Sequence, residues 1–211
     1  MEIISHRGYW KSPQEKNSLV AFERSFNLGF GTETDVRDYQ GDLVISHDIP
    51  VGGEMPLSDF LKLVDGESFS LALNIKSDGL TEKLADCLSR YNIPNAFVFD
   101  MSVPDQLSYY RNGKISFFSR ASEYEPKISL FEECHGVWLD AFISTWYDVD
   151  YIKKVLDVGK KVCIVSSELH KREDYYTLWS MLAHPELRGA ENLILCTDMP
   201  EDAQRFFAEA K

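Results

Sequence analysis

The residues best suited to chemistry lie in the first third of the chain, in four short polar clusters: His6-Arg7-Gly8, Asn17-Ser18, Glu33-Thr34-Asp35 and His47-Asp48. They bring together two histidines, two carboxylates spaced i, i+2 and an arginine, each after or near the end of an apolar, strand-like run. In a strand, Glu33 and Asp35 point to one face. Burying two carboxylates side by side is costly unless a cation offsets their desolvation and mutual repulsion. The ligands on offer are oxygens, so a hard divalent ion, Mg2+ or Ca2+, is the natural compensation. This is the inventory of metal-assisted phosphoryl chemistry.

Such residues need a scaffold that gathers strand ends into one place. Short β-branched or apolar runs alternate with longer amphipathic stretches, with turn residues at almost every junction. The pattern predicts strands at 2–5, 32–37, 70–76, 96–101, 115–119, 136–140, 161–166 and 193–197. Helices are predicted at 17–28, 57–64, 80–91, 103–111, 126–134, 148–158, 173–184 and 200–210. Asp148 is a candidate cap for the sixth, and Gly159 follows its end. Residues 43–47 read as a hairpin arm after the Gln40-Gly41-Asp42 turn. Strands that alternate with helices pair in parallel. Eight such units predict a (β/α)8 TIM barrel, a single domain over 1–211, near the lower end of the roughly 200 to 250 residues usual for that fold. An open doubly wound sheet is the competing architecture. It would carry a glycine-rich phosphate loop after the first strand, and His6-Arg7-Gly8-Tyr9-Trp10 is not one.

In a barrel the C-terminal strand ends line the mouth. Read in order, those ends carry His6, Glu33 with Asp35, Asn74 with Lys76, Asp100, Arg120, Asp140, Glu168 and Asp198. Every strand ends in a chemically useful side chain.

Composition narrows the classes further. With 44% hydrophobic residues the 211-residue chain can bury a substantial core. A formal charge of −12, from 34 acidic and 22 basic residues, argues against nucleic acid as a partner. Cys87, Cys134, Cys163 and Cys196 are scattered without a C-x-x-C pair. They read as reduced core thiols of a cytoplasmic protein. No stretch reads as an export signal or a membrane span.

The sequence resembles the glycerophosphodiester phosphodiesterases. The resemblance is carried by Ile4-Ser5-His6-Arg7-Gly8, Lys16-Asn17-Ser18 with Ala21-Phe22, Gly29, Glu33-Thr34-Asp35-Val36, Gly41 with Leu43-Val44, and His47-Asp48. It returns at Asn74-Ile75-Lys76 and at Thr197-Asp198-Met199-Pro200, whereas 77–190 carries little of it. The resemblance implies a TIM-type barrel that hydrolyses a small phosphodiester with a divalent metal and releases an alcohol. On that reading His6 and His47 are the general acid and base, in an order left open; imidazole titrates near working pH. Glu33 and Asp35 ligate the metal, Arg7 holds a non-bridging oxygen with its planar donor fork, and Lys76 adds a second positive charge.

One position departs from that pattern. The family usually has a third metal-binding carboxylate two residues before the strand-three lysine, and here that residue is Asn74. An amide still offers a carbonyl oxygen to a hard cation, with weaker charge compensation. The bound ion would be one charge more positive, favouring a more highly charged phosphate. Asp140 or Glu168, from across the barrel, could replace the missing ligand, and Glu168 could instead contact substrate. The same substitution keeps two other function classes open: a lyase forming a cyclic phosphate or an enzyme acting on a phosphorylated sugar, and a catalytically weak phosphate-binding protein. Blander roles suit other residues. Arg120 and Asp100 could simply pair, and Asn17-Ser18 would cap the first helix and buttress the histidine loop. Trp10, Trp138 and Trp146 read as packing, although Tyr9 and Trp10 could shape the mouth. His135 and His184 read as structural, with His170 undecided, and Lys171-Arg172-Glu173-Asp174 as a solvated helix start.

Overall fold

Apolar runs and amphipathic stretches alternate in the folded chain much as the sequence pattern predicts. In the computed structural model, which describes residues 1–210, β1 (Glu2–His6) leads through α1 (Leu19–Asn27) to β2 (Gly31–Tyr39), which folds back into β3 (Asp42–Ile45). There follow α2 (Leu57–Lys62), β4 (Leu71–Ile75), α3 (Thr81–Leu88), β5 (Ala96–Phe99), α4 (Val103–Asn112), β6 (Ser116–Ala121) and β7 (Gly136–Leu139). The chain ends with α5 (Val149–Asp157), β8 (Lys161–Val165), α6 (Tyr175–Leu182), β9 (Leu193–Thr197) and α7 (Pro200–Glu209). Parallel pairing runs β1-β9-β8-β7-β6-β5-β4-β2, and β1 pairs with β2 to close the ring. This is the expected eight-stranded α/β TIM barrel. The ninth strand, β3, pairs antiparallel with the outer half of β2, Val36 opposite Ile45, as the hairpin signal predicted.

Local signals account for several boundaries. Asp148 caps α5 by accepting from Tyr151 N, and Ser102 caps α4 the same way through Asp105 N. Gly113 stops α4 in the left-handed region, φ 67°. The segment 126–134 departs from expectation. It is a succession of turns rather than a helix, because Leu130 is itself left-handed (φ 47°) and the amides of Glu133 and Cys134 both donate to the Leu130 carbonyl. Its apolar side chains Ile128 and Phe131 still pack onto the barrel, so the periodic pattern reported burial, not helix. Seven α-helices therefore serve eight barrel strands among the described residues.

Two layers of core sit on either side of the barrel wall. Outside, the strands pack against the helices around residues such as Phe22, Phe60, Ile152 and Trp179. Inside, Ile4, Ala72, Phe97, Phe99, Phe118, Trp138 and Cys196 belong to a separate cluster. Phe97 stacks on Phe118 at 3.9 Å and Phe99 on Trp138 at 3.7 Å, so Trp138 packs as expected. Because strand side chains repeat every two residues, five of these seven inner apolar residues are followed two positions later by a polar one at the mouth; Phe97 and Phe99 are followed by Phe99 and Met101. The pairs are Ile4 and His6, Ala72 and Asn74, Phe118 and Arg120, Trp138 and Asp140, Cys196 and Asp198. The apolar plug thus forms the floor of a polar cup. All four cysteines are free thiols, and Cys163 and Cys196 lie in the inner cluster. No helix among the described residues is long and apolar enough to cross a membrane.

Replacing Phe118 with Ala removes one ring of the stacked plug; urea unfolding should show a loss of about 3–5 kcal/mol.

Candidate active site

The first strand ends in a sharp turn that aims two functional groups in different directions. Arg7 and Gly8 are both left-handed, φ 59° and 76°. Gly8 has no alternative, since a Cβ there would lie 2.7 Å from Ala21 Cβ and 2.8 Å from its carbonyl carbon. Gly8 N donates to Thr32 Oγ1 at 2.9 Å, and Arg7 N donates to Glu33 O (3.0 Å) and Glu33 Oε2 (3.1 Å). His6 is left facing the mouth. Its Nδ1 is 2.8 Å from Asp198 Oδ1, and its Nε2 is 3.9 Å from Glu33 Oε2. Burial lowers the His6 pKa, with Asp198 opposing that fall.

On the next strand Glu33 and Asp35 are 1% and 0% exposed. Asp35 Oδ2 meets Arg7 Nε at 2.9 Å and accepts from Asn17 Nδ2 at 2.8 Å, while Oδ1 lies 3.3 Å from Lys76 Nζ. Arg7 and Lys76 therefore offset the Asp35 charge. Glu33 has no such close cation, and burial together with the neighbouring Asp35 raises its pKa well above the ordinary carboxylate range. In the parallel register Asn74 stands beside Asp35. The Asn74 carbonyl oxygen is buried and accepts no hydrogen bond, an unmet demand of the kind a bound cation satisfies. The oxygen set at this point is two carboxylates and one amide. Among the described residues no group of three or more His, Cys, Asp or Glu side chains is arranged to hold a metal.

Asn17 buttresses the histidine loop as expected and also reaches the carboxylate strand. The helix cap expected of Asn17-Ser18 is not made by a side chain: Ser18 occupies the N-cap position without bonding to the helix. Asn17 instead latches the histidine loop to the carboxylate strand. Its N donates to Arg7 O at 2.9 Å, its Oδ1 accepts from Thr34 Oγ1 at 2.9 Å, and its amide reaches Asp35. It adopts φ 56°, like Arg7 a non-glycine residue in the left-handed region, which costs about 1–3 kcal/mol. Its place between Lys16 and Ser18 in the first-third motif was the available signal.

The second histidine is more open. His47 follows β3, its side chain is 45% exposed, and its Nδ1 is 2.9 Å from Asp48 Oδ1. It lines one groove with Arg7, Lys16 and Asn17, so the loop after β3 joins the histidine loop at the rim.

Glu168 and Asp140 differ from expectation. Both oxygens of Glu168 are committed within the protein: it accepts from Ser166 Oγ at 2.5 Å, from Thr197 Oγ1, and from Asp198 N at 3.1 Å. Trp179 Nε1 in turn donates to Ser166 Oγ at 2.9 Å. Glu168 therefore ties the end of β8 to the end of β9 and sets the Asp198 backbone, rather than reaching toward Asp35. Asp140 accepts from Ala141 N at 2.8 Å and lies 2.6 Å from His170 Nε2, on the opposite side of the ring from β2. His170 is thus paired. Arg120 and Asp100 also pair, at 3.2 Å, with Glu125 Oε2 at 2.5 Å from Arg120 Nε. Trp10, expected to pack or shape the mouth, donates through Nε1 to Asp198 Oδ1 at 3.2 Å.

No family model and no curated protein matches the sequence. Solved structures do match in shape. A protein described as a glycerophosphoryl diester phosphodiesterase from Agrobacterium tumefaciens strain C58 is 12% identical, with a TM-score of 0.73 over 99% of this chain and 98% of its own. A glycerophosphodiester phosphodiesterase from the same strain is 15% identical, with a TM-score of 0.70 over 99% of both chains. A glycerophosphoryl diester phosphodiesterase from Parabacteroides distasonis ATCC 8503 is 16% identical, with a TM-score of 0.63 over 99% of this chain and 86% of that one. At such identities the likeness establishes the shared barrel fold.

Two outcomes follow from the Asp198 and Glu168 geometry. Asp198→Asn replaces the carboxylate that accepts from His6 Nδ1 with a neutral amide whose NH2 can donate to that nitrogen, so nitrogen NMR should show His6 shifting toward the Nε2-protonated tautomer. Burial raises the Glu168 pKa. The folded state then holds that proton more tightly than the unfolded state, and this carboxyl's contribution to stability falls as pH rises from about 4.5 through the folded-state value. Chemical unfolding of Glu168→Gln at pH 4.5 and pH 7 should show a smaller pH dependence than wild type.

Proposed function

We propose that the barrel mouth hydrolyses small phosphodiesters, glycerophosphodiesters among them, with a divalent cation bound beside β2. What carries this reading is the arrangement around the buried carboxylate pair: a carboxylate-oriented histidine, an arginine, a lysine and an unpartnered amide oxygen converge on Glu33 and Asp35. Glu33, Asp35 and Asn74 form an all-oxygen set that fits Mg2+ or Ca2+, and the free Asn74 carbonyl is the observation favouring that fit. When bound, the cation would polarise a phosphoryl oxygen and stabilise the charge that grows on it.

The remaining work belongs to side chains of this chain. Arg7 has its Nε on Asp35, leaving the other end of its fork to take a non-bridging phosphoryl oxygen. Lys76, also paired to Asp35, adds positive charge from the next strand around the ring. Asp198 engages His6 Nδ1, so Nε2 is the nitrogen that exchanges protons with the reacting groups. His47, with Asp48 on its Nδ1, supplies the second imidazole from the groove side. One histidine removes the proton of the attacking water, and the other protonates the departing alkoxide. Anchoring by Asn17 and Glu168 keeps these groups from drifting apart, since small displacements of reacting groups are costly.

The test is turnover of chelator-treated protein against a panel of glycerophosphodiesters and sugar phosphodiesters, with Mg2+, Ca2+ and Mn2+ restored singly. Activity should return with at least one cation and should fall by about 10^2-fold or more in His6→Ala and in His47→Ala. A full panel without turnover, or either variant keeping more than a tenth of wild-type activity, contradicts the reading. Asn74→Asp adds a carboxylate at the same register position and should lower the half-saturating cation concentration about tenfold or more.

A further inference from the structure

Eleven large hydrophobic side chains are exposed among the described residues, and they are unevenly placed. Leu28, Tyr110 and Val158 lie toward the C-terminal ends of helices, away from the mouth. The other eight sit on segments that leave the C-terminal ends of barrel strands or follow the β2–β3 hairpin. Leu19 and Val20 open α1 and Val103 opens α4. Tyr176 is in the first turn of α6, and Tyr124 and Ile143 are in the loops after β6 and β7. Ile49 and Val51, 80% and 86% exposed, occupy the loop after β3, two and four residues beyond His47. Exposed apolar residues therefore rim the polar cup on the segments after β1, β3, β5, β6, β7 and β8. Scattered single apolar residues are ordinary on a surface, whereas their concentration at one end of the barrel is what a recognition surface would require.

Two parts of that rim are built by the same device. Glu54 accepts from Val51 N at 2.7 Å and from Gly52 N at 2.9 Å, so its carboxylate pins the tip that carries Ile49 and Val51. Glu123 accepts from Phe142 N at 3.0 Å and from Ile143 N at 2.6 Å, pinning the loop after β7. Arg172 holds the same loop through Ala141 O at 2.6 Å. Each apolar tip is thus fixed outward by backbone bonds instead of folding back to hide its side chains, so little ordering entropy remains to be lost when the tip is covered.

We propose that the mouth face docks on a lipid–water interface whose headgroups are neutral or zwitterionic, and draws phosphodiester substrate from it. The choice of a lipid surface rests on the phosphodiester reading above. A protein seated on this rim would seal the cup, whereas an interface of amphiphilic phosphodiesters both covers the rim and supplies the cup. The charge of −12, with Asp48 beside the Ile49 tip, opposes a strongly anionic surface. Side chains of this size inserted to the headgroup boundary gain from burial of apolar area.

The test is sedimentation of the full chain with phosphatidylcholine vesicles, run beside vesicles containing phosphatidylserine, with no turnover required. Wild type should partition onto phosphatidylcholine and more weakly onto the anionic vesicles. The triple variant Ile49→Ser, Val51→Ser, Ile143→Ser should lose at least about tenfold in partitioning, with unchanged melting and unchanged hydrolysis of a soluble glycerophosphodiester. Leu28→Ser with Val158→Ser, at the other end of the barrel, should partition as wild type does. Absence of wild-type binding to phosphatidylcholine, equal binding by the triple variant, or a self-association that the triple variant abolishes without any vesicle binding overturns the proposal. Rim-dependent vesicle binding in a protein that turns over no phosphodiester would sustain the docking surface and remove the hydrolase reading.

Discussion

The constraint on which this structure turns is the burial of two carboxylates, Glu33 and Asp35, at the inner rim of a closed barrel. Neither reaches water, and their like charges stand two residues apart on one face of β2. Most of the surrounding architecture answers that cost. Arg7 and Lys76 bracket Asp35, and Asn17 spends a strained backbone conformation to hydrogen-bond it. Glu33 is left with a raised pKa and two contacts from the histidine strand. A divalent cation at Glu33, Asp35 and Asn74 would complete the compensation that the protein's own cations begin.

The cup has two unlike halves. On the β9-β1-β2-β4 side, His6, Arg7, Glu33, Asp35 and Lys76 form one connected set, with Glu168 and Asp198 bracing it from β8 and β9. On the β5-β6-β7 side the charged residues are paired among themselves, Arg120 with Asp100 and Glu125, and Asp140 with His170. The first half is where phosphoryl chemistry is proposed. The second half is charge-paired and sits over the stacked aromatic floor.

Much of this was legible in the chain. Period-two alternation sets which face each strand side chain takes, so residues lining the cup are read in order along the sequence, and parallel closure follows from alternating strands and helices. What the sequence hid was side-chain commitment. Glu168 and Asp140 look like free carboxylates from spacing alone, because nothing local reveals that Ser166, Thr197 and the Asp198 amide converge on one and His170 on the other. For Asn17 the buttress of the histidine loop is legible but the helix cap is not made, and its reach to Asp35 depends on a left-handed backbone that no periodicity encodes. The segment 126–134 departs from the helix its pattern predicts for a related reason: its apolar spacing satisfies burial between β6 and β7 as well as it would a helix, and Leu130 breaks the helical path.

Calorimetric titration of chelator-treated protein with Mg2+ and with Ca2+, beside Glu33→Gln and Asp35→Asn, tests the central claim most directly, since it reads cation binding without requiring any substrate. One cation bound per wild-type chain, with affinity lost in both variants, is the result this account predicts. No binding of either ion, or binding that survives removal of the carboxylates, would contradict it and leave Arg7 and Lys76 as the full compensation of the buried pair.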